Sequence, residues 1–188
     1  MRVLAVCGSL RKASFNLALL RAAAELAPAG MEIVIYPLHD LAHYNGDDDP
    51  KDQSAAPAPV RAFRQAVAEC DGFIAAVPEF SHSYPGVLKN AIDWLAHADV
   101  LEGKPATAVS AAPNQGGGVR GQIMLREVYF AVGADIFVNY ELLVRHAKDR
   151  FDAAGKLIDE PTRKQLAEFL TNFADHIRRT QAATATAS

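Results

Sequence analysis

The sequence predicts a doubly wound α/β domain, a five-stranded parallel sheet covered by helices on both faces. Three observations carry that reading. Short apolar or β-branched runs alternate with longer stretches of helical period, the pattern of strands buried on both sides. The 188 residues are 50% apolar, enough for one well-buried core and too few for two substantial domains, so a single domain over 1–180 is expected. Each of three polar loops, 8–14, 78–84 and 110–118, follows the end of a strand, where ligands bind in open α/β sheets.

The first strand is expected over 2–7, followed by a helix over 14–28 with Ser14 as its N-cap. Leu17, Leu20 and Ala24 recur at helical spacing and are assigned to its buried side. A second strand is predicted at 31–36, then a long connection, 37–58, containing Asp47-Asp48-Asp49-Pro50. Adjacent carboxylates suggest calcium, but an EF-hand loop needs Gly sixth and Glu twelfth, where this chain has Asp52 and Ala58. The connection therefore reads as a solvated loop. Next come a helix over 59–70, a strand over 72–77 and a helix over 85–98. Pro85 suits the first turn of that helix, because a missing N–H costs nothing there. A strand at 105–111, a helix at 118–132, a strand at 134–138 and a helix at 160–180 complete the domain. The small, polar segment 181–188 is expected to be a disordered tail.

Composition narrows the function classes. A net charge of −3 with no basic face argues against nucleic acid as a partner. The apolar residues before Gly8 are too few for a signal-peptide core, and no segment approaches the roughly 20 apolar residues of a membrane helix. Cys7 and Cys70 fit a reduced, cytoplasmic protein better than a disulfide framework, and both read as small core residues.

The first loop, Gly8-Ser9-Leu10-Arg11-Lys12-Ala13-Ser14-Phe15-Asn16, joins a strand to a helix, and there it can hold a phosphate. The helix start presents unpaired N–H groups and the positive end of its dipole, while an arginine can grip two oxygens at once. The Gly-Lys-Ser/Thr of a triphosphate loop is absent. A monophosphate needs less, and Ser9, Arg11, Ser14 and Asn16 supply hydroxyls, an amide and one guanidinium. In the second loop, Pro78 and Pro85 stiffen the backbone and Phe80 offers an apolar face to a flat ring. Glu79 is read as a positioning group and His82 as a solvent-facing side chain. In the third loop, Gly116-Gly117-Gly118-Val119-Arg120-Gly121 formally satisfies a dinucleotide fingerprint. The required acid should end the next strand, but Glu141 falls beyond 134–138, so these glycines read instead as letting backbone approach a planar ligand.

Gly8-Ser9-Leu10-Arg11-x-x-Ser14-x-Asn16, with Pro78-Glu79-Phe80 and Pro85-Gly86-x-Leu88-Lys89-Asn90-Ala91-Ile92-Asp93-Trp94, resembles the NADPH-dependent FMN reductases over residues 1 to about 145. That family includes quinone, chromate and azo-dye reductases. The resemblance implies a flavodoxin-like three-layer sandwich with strand order 2-1-3-4-5. It implies FMN as cofactor and NADPH or NADH as reductant. It implies that Ser9, Arg11, Ser14 and Asn16 bind the FMN phosphate. Pro78, Glu79, Phe80 and Ser81 would line the ribityl chain and the ring, and the loop with Ser110, Gly116 and Gly117 would close over the pyrimidine end. It further implies a homodimer or homotetramer with the 89–94 helix near the subunit boundary. The chain departs from the family where Phe80-Ser81 replaces the usual Tyr-Asn and where Ser110-Ala111-Ala112 replaces Ser-x-Gly. The implied reaction passes hydride from NAD(P)H through FMN to a small acceptor: a quinone, azo compound, chromate or free flavin. No catalytic side chain or metal is expected, because the flavin performs the chemistry. Two rival readings are an FMN electron carrier without NAD(P)H activity and a plain nucleotide-binding module. Carriers are usually strongly acidic to dock basic partners, which a charge of −3 does not match.

Overall fold

A computed structural model describes residues 1–50 and 55–187. Asp52, the sixth position weighed for calcium, lies outside the described residues. Strands β1 (Arg2–Cys7), β2 (Glu32–Tyr36), β3 (Gly72–Ala76), β4 (Pro105–Ala111), β5 (Asp135–Ile136) and β6 (Leu142–Val144) form one sheet. Its order is β2-β1-β3-β4-β5, every pairing is parallel, and β6 also pairs with β4. Helices α1 (Phe15–Glu25), α2 (Ala58–Ala68), α3 (Gly86–Ala96), α4 (Val119–Ala131) and α5 (Glu160–Ala187) cover both faces.

Side-chain alternation along the strands divides the core in two. Val3, Ala5 and Cys7 of β1 pack with Leu19, Leu20, Phe169 and Phe173 of α1 and α5. Leu4 and Val6 face the other way, into Phe63, Leu88, Ile92 and Leu125 of α2, α3 and α4. The buried side of α1 differs from the expectation: Leu20 is buried, but Leu17 is half-buried and Ala24 exposed, while Ala18, Leu19, Ala22 and Ala23 face the core. An alanine-rich surface lets α1 approach the sheet closely, so small residues outcompete a wider-spaced leucine stripe.

The fifth strand is not the continuous 134–138 run expected. Pro105 pairs with Asp135, whereas Val109 pairs with Leu142, so the fifth strand carries three more residues than β4 between those pairs. The surplus bulges out, exposing Val138 and Tyr140, and pairing resumes as β6. The sheet thus has six strands.

The 37–58 connection also differs from a solvated loop. Asp49 is buried and its Oδ2 accepts from Arg64 at 2.7 Å, while the Arg64 Nε donates to the Trp94 carbonyl at 2.7 Å. The Trp94 indole N–H and the Asn90 amide donate to the Ala42 carbonyl at 2.8 and 2.9 Å. Ala56, Val60 and Trp94, with Leu41 and Tyr44, seal the connection against α2 and α3. At the other end of the chain, α5 continues to Ala187, through the segment expected as a tail. Alanines at 182, 183, 185 and 187 are strong helix formers, and they prolong a helix already anchored by Phe169, Phe173 and Ile177.

Candidate active site

The three polar loops leave the C-terminal ends of β1, β3 and β4 side by side. The Gly8 N–H donates to the Ala76 carbonyl and the Val77 N–H to the Val109 carbonyl, at 2.9 and 2.8 Å. Gly8 must be glycine here: a Cβ would lie 2.7 Å from Leu88 Cδ1 of α3 and 3.0 Å from Pro78 Cδ.

In the first loop, Ser14 caps α1, its Oγ accepting from the Leu17 N–H at 3.3 Å. The Ser9 N–H donates to Cys7 Sγ at 3.4 Å, which tucks the start of the loop over the strand end. Burial pushes the Cys7 thiol pKa up, against smaller opposing effects of the bonds from Ser9 and Ser14. Asn16 is buried, and its amide donates to the Ala111 carbonyl at 2.9 Å and accepts from the Ala111 N–H at 3.1 Å. Of the four residues expected at a phosphate, Ser9 and Arg11 therefore line the cleft. Ser14 and Asn16 hold the loop's shape from behind.

The second loop is a tight hairpin. Phe80 and Ser83 exchange backbone bonds at 2.9 and 3.0 Å around Ser81 and His82, whose φ values are 50° and 64°. Two central residues at positive φ are the pattern of a type I′ turn. The turn holds Phe80 half-exposed, at 53%, over the cleft. Glu79 turns away to α4, where Oε2 accepts from the Arg120 N–H at 3.1 Å. The left-handed N-cap Gly118 offers no side-chain cap, so Glu79 supplies one from another loop. Its Oε1 lies 3.6 Å from both the Arg120 guanidinium and His82 Nδ1, and His82 remains exposed.

The third loop rests on buried polar props. Asn114 Oδ1 accepts from the N–H groups of Gly116 and Gly117 at 3.1 and 3.2 Å. Ser110 is fully buried; its hydroxyl donates to the Gly117 carbonyl at 2.5 Å and accepts from the Gln122 amide at 2.7 Å. Gly118 sits at φ 90°, and a Cβ there would meet Ser110 at 2.8 Å. Ser110 thus stands beneath the loop, its hydroxyl engaged by the Gly117 carbonyl and the Gln122 amide. The dinucleotide reading finds no support, since Glu141 pairs with Arg126 at 2.8 Å. Two residues that the motif reading passed over, Asn114 and Gln122, organise this loop. A side-chain acceptor just before a glycine run signals the first; nothing in the sequence distinguishes the second from a surface glutamine.

Ser9, Arg11 and Phe80 meet with Leu10, Pro85 and Val87 in a cleft of about 470 Å³. The N–H groups of Leu10 and Arg11, both lining the cleft, have no protein acceptor among the described residues, no acidic side chain lies in the first turn of α1, and the Arg11 side chain is exposed and unpaired. That donor set fits a phosphate monoester, and Phe80 beside it fits a planar ring.

A parallel 2-1-3-4-5 sheet whose C-terminal edge gathers an anion loop, an aromatic hairpin and a glycine loop defines a flavodoxin-like nucleotide-binding protein. The family model for NADPH-dependent FMN reductase matches residues 1–149. The chain belongs to that family. It is 34% identical over 181 residues to a 2-hydroxy-1,4-benzoquinone reductase of a Burkholderia species, covering 95% of this chain and 97% of that one. It is likewise 34% identical over 183 residues to a quinone reductase of Escherichia coli strain K12, covering 95% and 96%. Among solved structures, FerB, a flavoenzyme NAD(P)H:(acceptor) oxidoreductase of Paracoccus denitrificans, superposes with a TM-score of 0.86 at 31% identity, covering 95% and 98%.

Proposed function

We propose that this chain is an NAD(P)H-dependent FMN oxidoreductase whose acceptor is a quinone. The observation that carries the reading is the cleft shared by Arg11, the free N–H groups of the first loop and Phe80. Bound FMN supplies the redox chemistry, so that NAD(P)H, a proton and a quinone become NAD(P)⁺ and a hydroquinone. The protein's own groups position and enclose. Arg11, Ser9 and the α1 N-terminus would hold the phosphate. Phe80 would border the ring, with Pro78 and Glu79 fixing the hairpin that carries it, and the loop with Gly116 and Gly117 would close over the ring's polar edge. Ser14, Asn16 and Ser110 keep these groups in place. Names of the relatives favour a quinone over azo compounds, chromate or free flavin.

We read the protein as a homodimer or homotetramer. The exposed apolar side chains Ile123, Met124 and Phe130 on one side of α4 support self-association. Two buried free thiols suit the reducing cytoplasm. Among the described residues, no helix is long and apolar enough to cross a membrane.

Purification followed by an absorbance scan, then NADPH and NADH oxidation with a benzoquinone, tests the assignment. A protein that takes up no FMN at micromolar concentration ends it. Bound flavin that neither nicotinamide reduces makes the chain a carrier instead. Arg11→Ala with Ser9→Ala should weaken FMN binding by about tenfold or more, as expected when charge-assisted hydrogen bonds to a phosphate are lost.

A further inference from the structure

The phosphate loop has a second side. Opposite the flavin cleft, a hollow of about 650 Å³ opens between this loop, α1 and the end of β2. Ser9, Leu10 and Arg11 line both spaces, so the loop is a wall between them. The hollow's remaining lining divides into two kinds of surface. Lys12 and Arg21 are exposed cations, and with Arg11 they have neither a hydrogen bond nor an ion pair among the described residues. Leu17, Ile35 and Tyr36 form the apolar part. Leu17 and Arg21 stand one turn apart on α1 and so share a face. Tyr36 is braced on Phe63 with ring centroids 5.0 Å apart. His39, which also lines the hollow, has the Asp40 carboxylate 3.7 Å from its ring.

Three unpaired cations on one rim are unusual in a chain of net charge −3, and they exceed what one phosphate monoester on the flavin requires. Cations with no partner above an apolar and aromatic wall match a purine nucleotide carrying an extra phosphate. A volume of this size is ordinary for a small-molecule site. The reductant has two ends, a redox-active ring and an adenosine; two clefts with a common wall match that division. We propose that the hollow beside β2 binds the adenosine 2′-phosphate of NADPH, with Lys12 and Arg21 recognising the phosphate and setting preference for NADPH over NADH. This rests on the FMN reductase reading for the identity of the dinucleotide.

The test uses the full chain with Lys12→Ala and Arg21→Ala, singly and together, and 2′,5′-ADP as the probe. KM for NADPH should rise about tenfold or more in the double variant, as lost charge-assisted contacts imply. KM for NADH, kcat with either nicotinamide and FMN retention should stay within about twofold, because neither residue lies in the flavin cleft. Calorimetric titration of 2′,5′-ADP should show binding to wild type that the double variant loses, and 5′-AMP should not discriminate between them. Equal changes for NADPH and NADH, a loss of FMN, or 2′,5′-ADP binding that ignores both substitutions would each overturn the assignment. Calorimetry needs neither flavin nor turnover. Failure of the subsite with intact flavin-dependent turnover is therefore distinct from failure of the enzyme reading itself.

Discussion

Ser81 and His82 occupy left-handed backbone without being glycine, which costs about 1 kcal/mol or more per residue. Asparagine tolerates that conformation far better than serine. Ser81→Asn should therefore stabilise the chain by about 0.5–1 kcal/mol, raising Tm by roughly 2–3 °C in a thermal melt. An unchanged or lower Tm would show that the turn is held without strain. At this scale the sequence was informative about residue type and less so about direction. Arg11 and Phe80 face the cleft as their chemistry suggests. Asn16 and Ser110 are polar residues of the expected motifs whose side chains bond to protein, Asn16 to Ala111 of β4 and Ser110 to the Gly117 carbonyl and the Gln122 amide. A motif records that an amide is required; it does not say whether a ligand or a neighbouring strand requires it.

Among the elements, the strongly periodic ones were readable. β1, β3 and β4 are short apolar runs closed by glycine or proline, and α3 opens after Pro85 as expected. The bulge between β5 and β6 was not readable, because the 135–144 stretch is apolar enough for continuous pairing. Only the register against β4 reveals the surplus residues. The Asp49–Arg64 clamp was hidden for a similar reason: a run of three aspartates looks solvated, and only burial singles out the third. This pair anchors the 37–58 connection with few alternatives, since Asp49 Oδ1 and one Arg64 nitrogen lack a partner. Asp49→Ala leaves a buried guanidinium without its carboxylate and should cost about 3–5 kcal/mol, a Tm loss near 10 °C. Replacing both together, Asp49→Leu with Arg64→Met, should recover much of that loss, and the double-mutant cycle measures the coupling. If the single substitution is silent, the clamp does not hold the connection.

For the whole molecule, stability should fall at both ends of the pH scale, for different reasons. Glu25 is held below its ordinary pKa chiefly by its hydrogen bond from Arg163, which ties α1 to α5. Asp159 is held low chiefly by the Thr162 hydroxyl, with help from the Thr162 N–H and Arg150. A lowered folded-state pKa stabilises above the unfolded value and is lost as pH falls through the folded one, so these contributions are intact at neutral pH and disappear below about pH 4. Cys7, Cys70, Tyr36 and Tyr129 shift the opposite way, mainly through burial. Raised values bring no penalty until the unfolded chain begins to ionise, so stability should decline as pH climbs beyond about 8.5. Denaturant midpoints measured from pH 3 to 10.5 should trace a plateau with two falling edges. A midpoint that keeps rising above pH 9 would contradict the burial of both thiols.

Position 8 and position 88 cannot vary independently. The space that a methyl group at the first would enter is already filled by the leucine at the second, and that leucine belongs to the helix bordering the cleft between Arg11 and Phe80. Broadening the opening turn by one carbon forces Leu88 to shift or shrink and presses on Pro78 beside it. The pair is therefore a place where two individually harmful changes become tolerable together, and where single-site scans will underestimate how freely this fold can evolve.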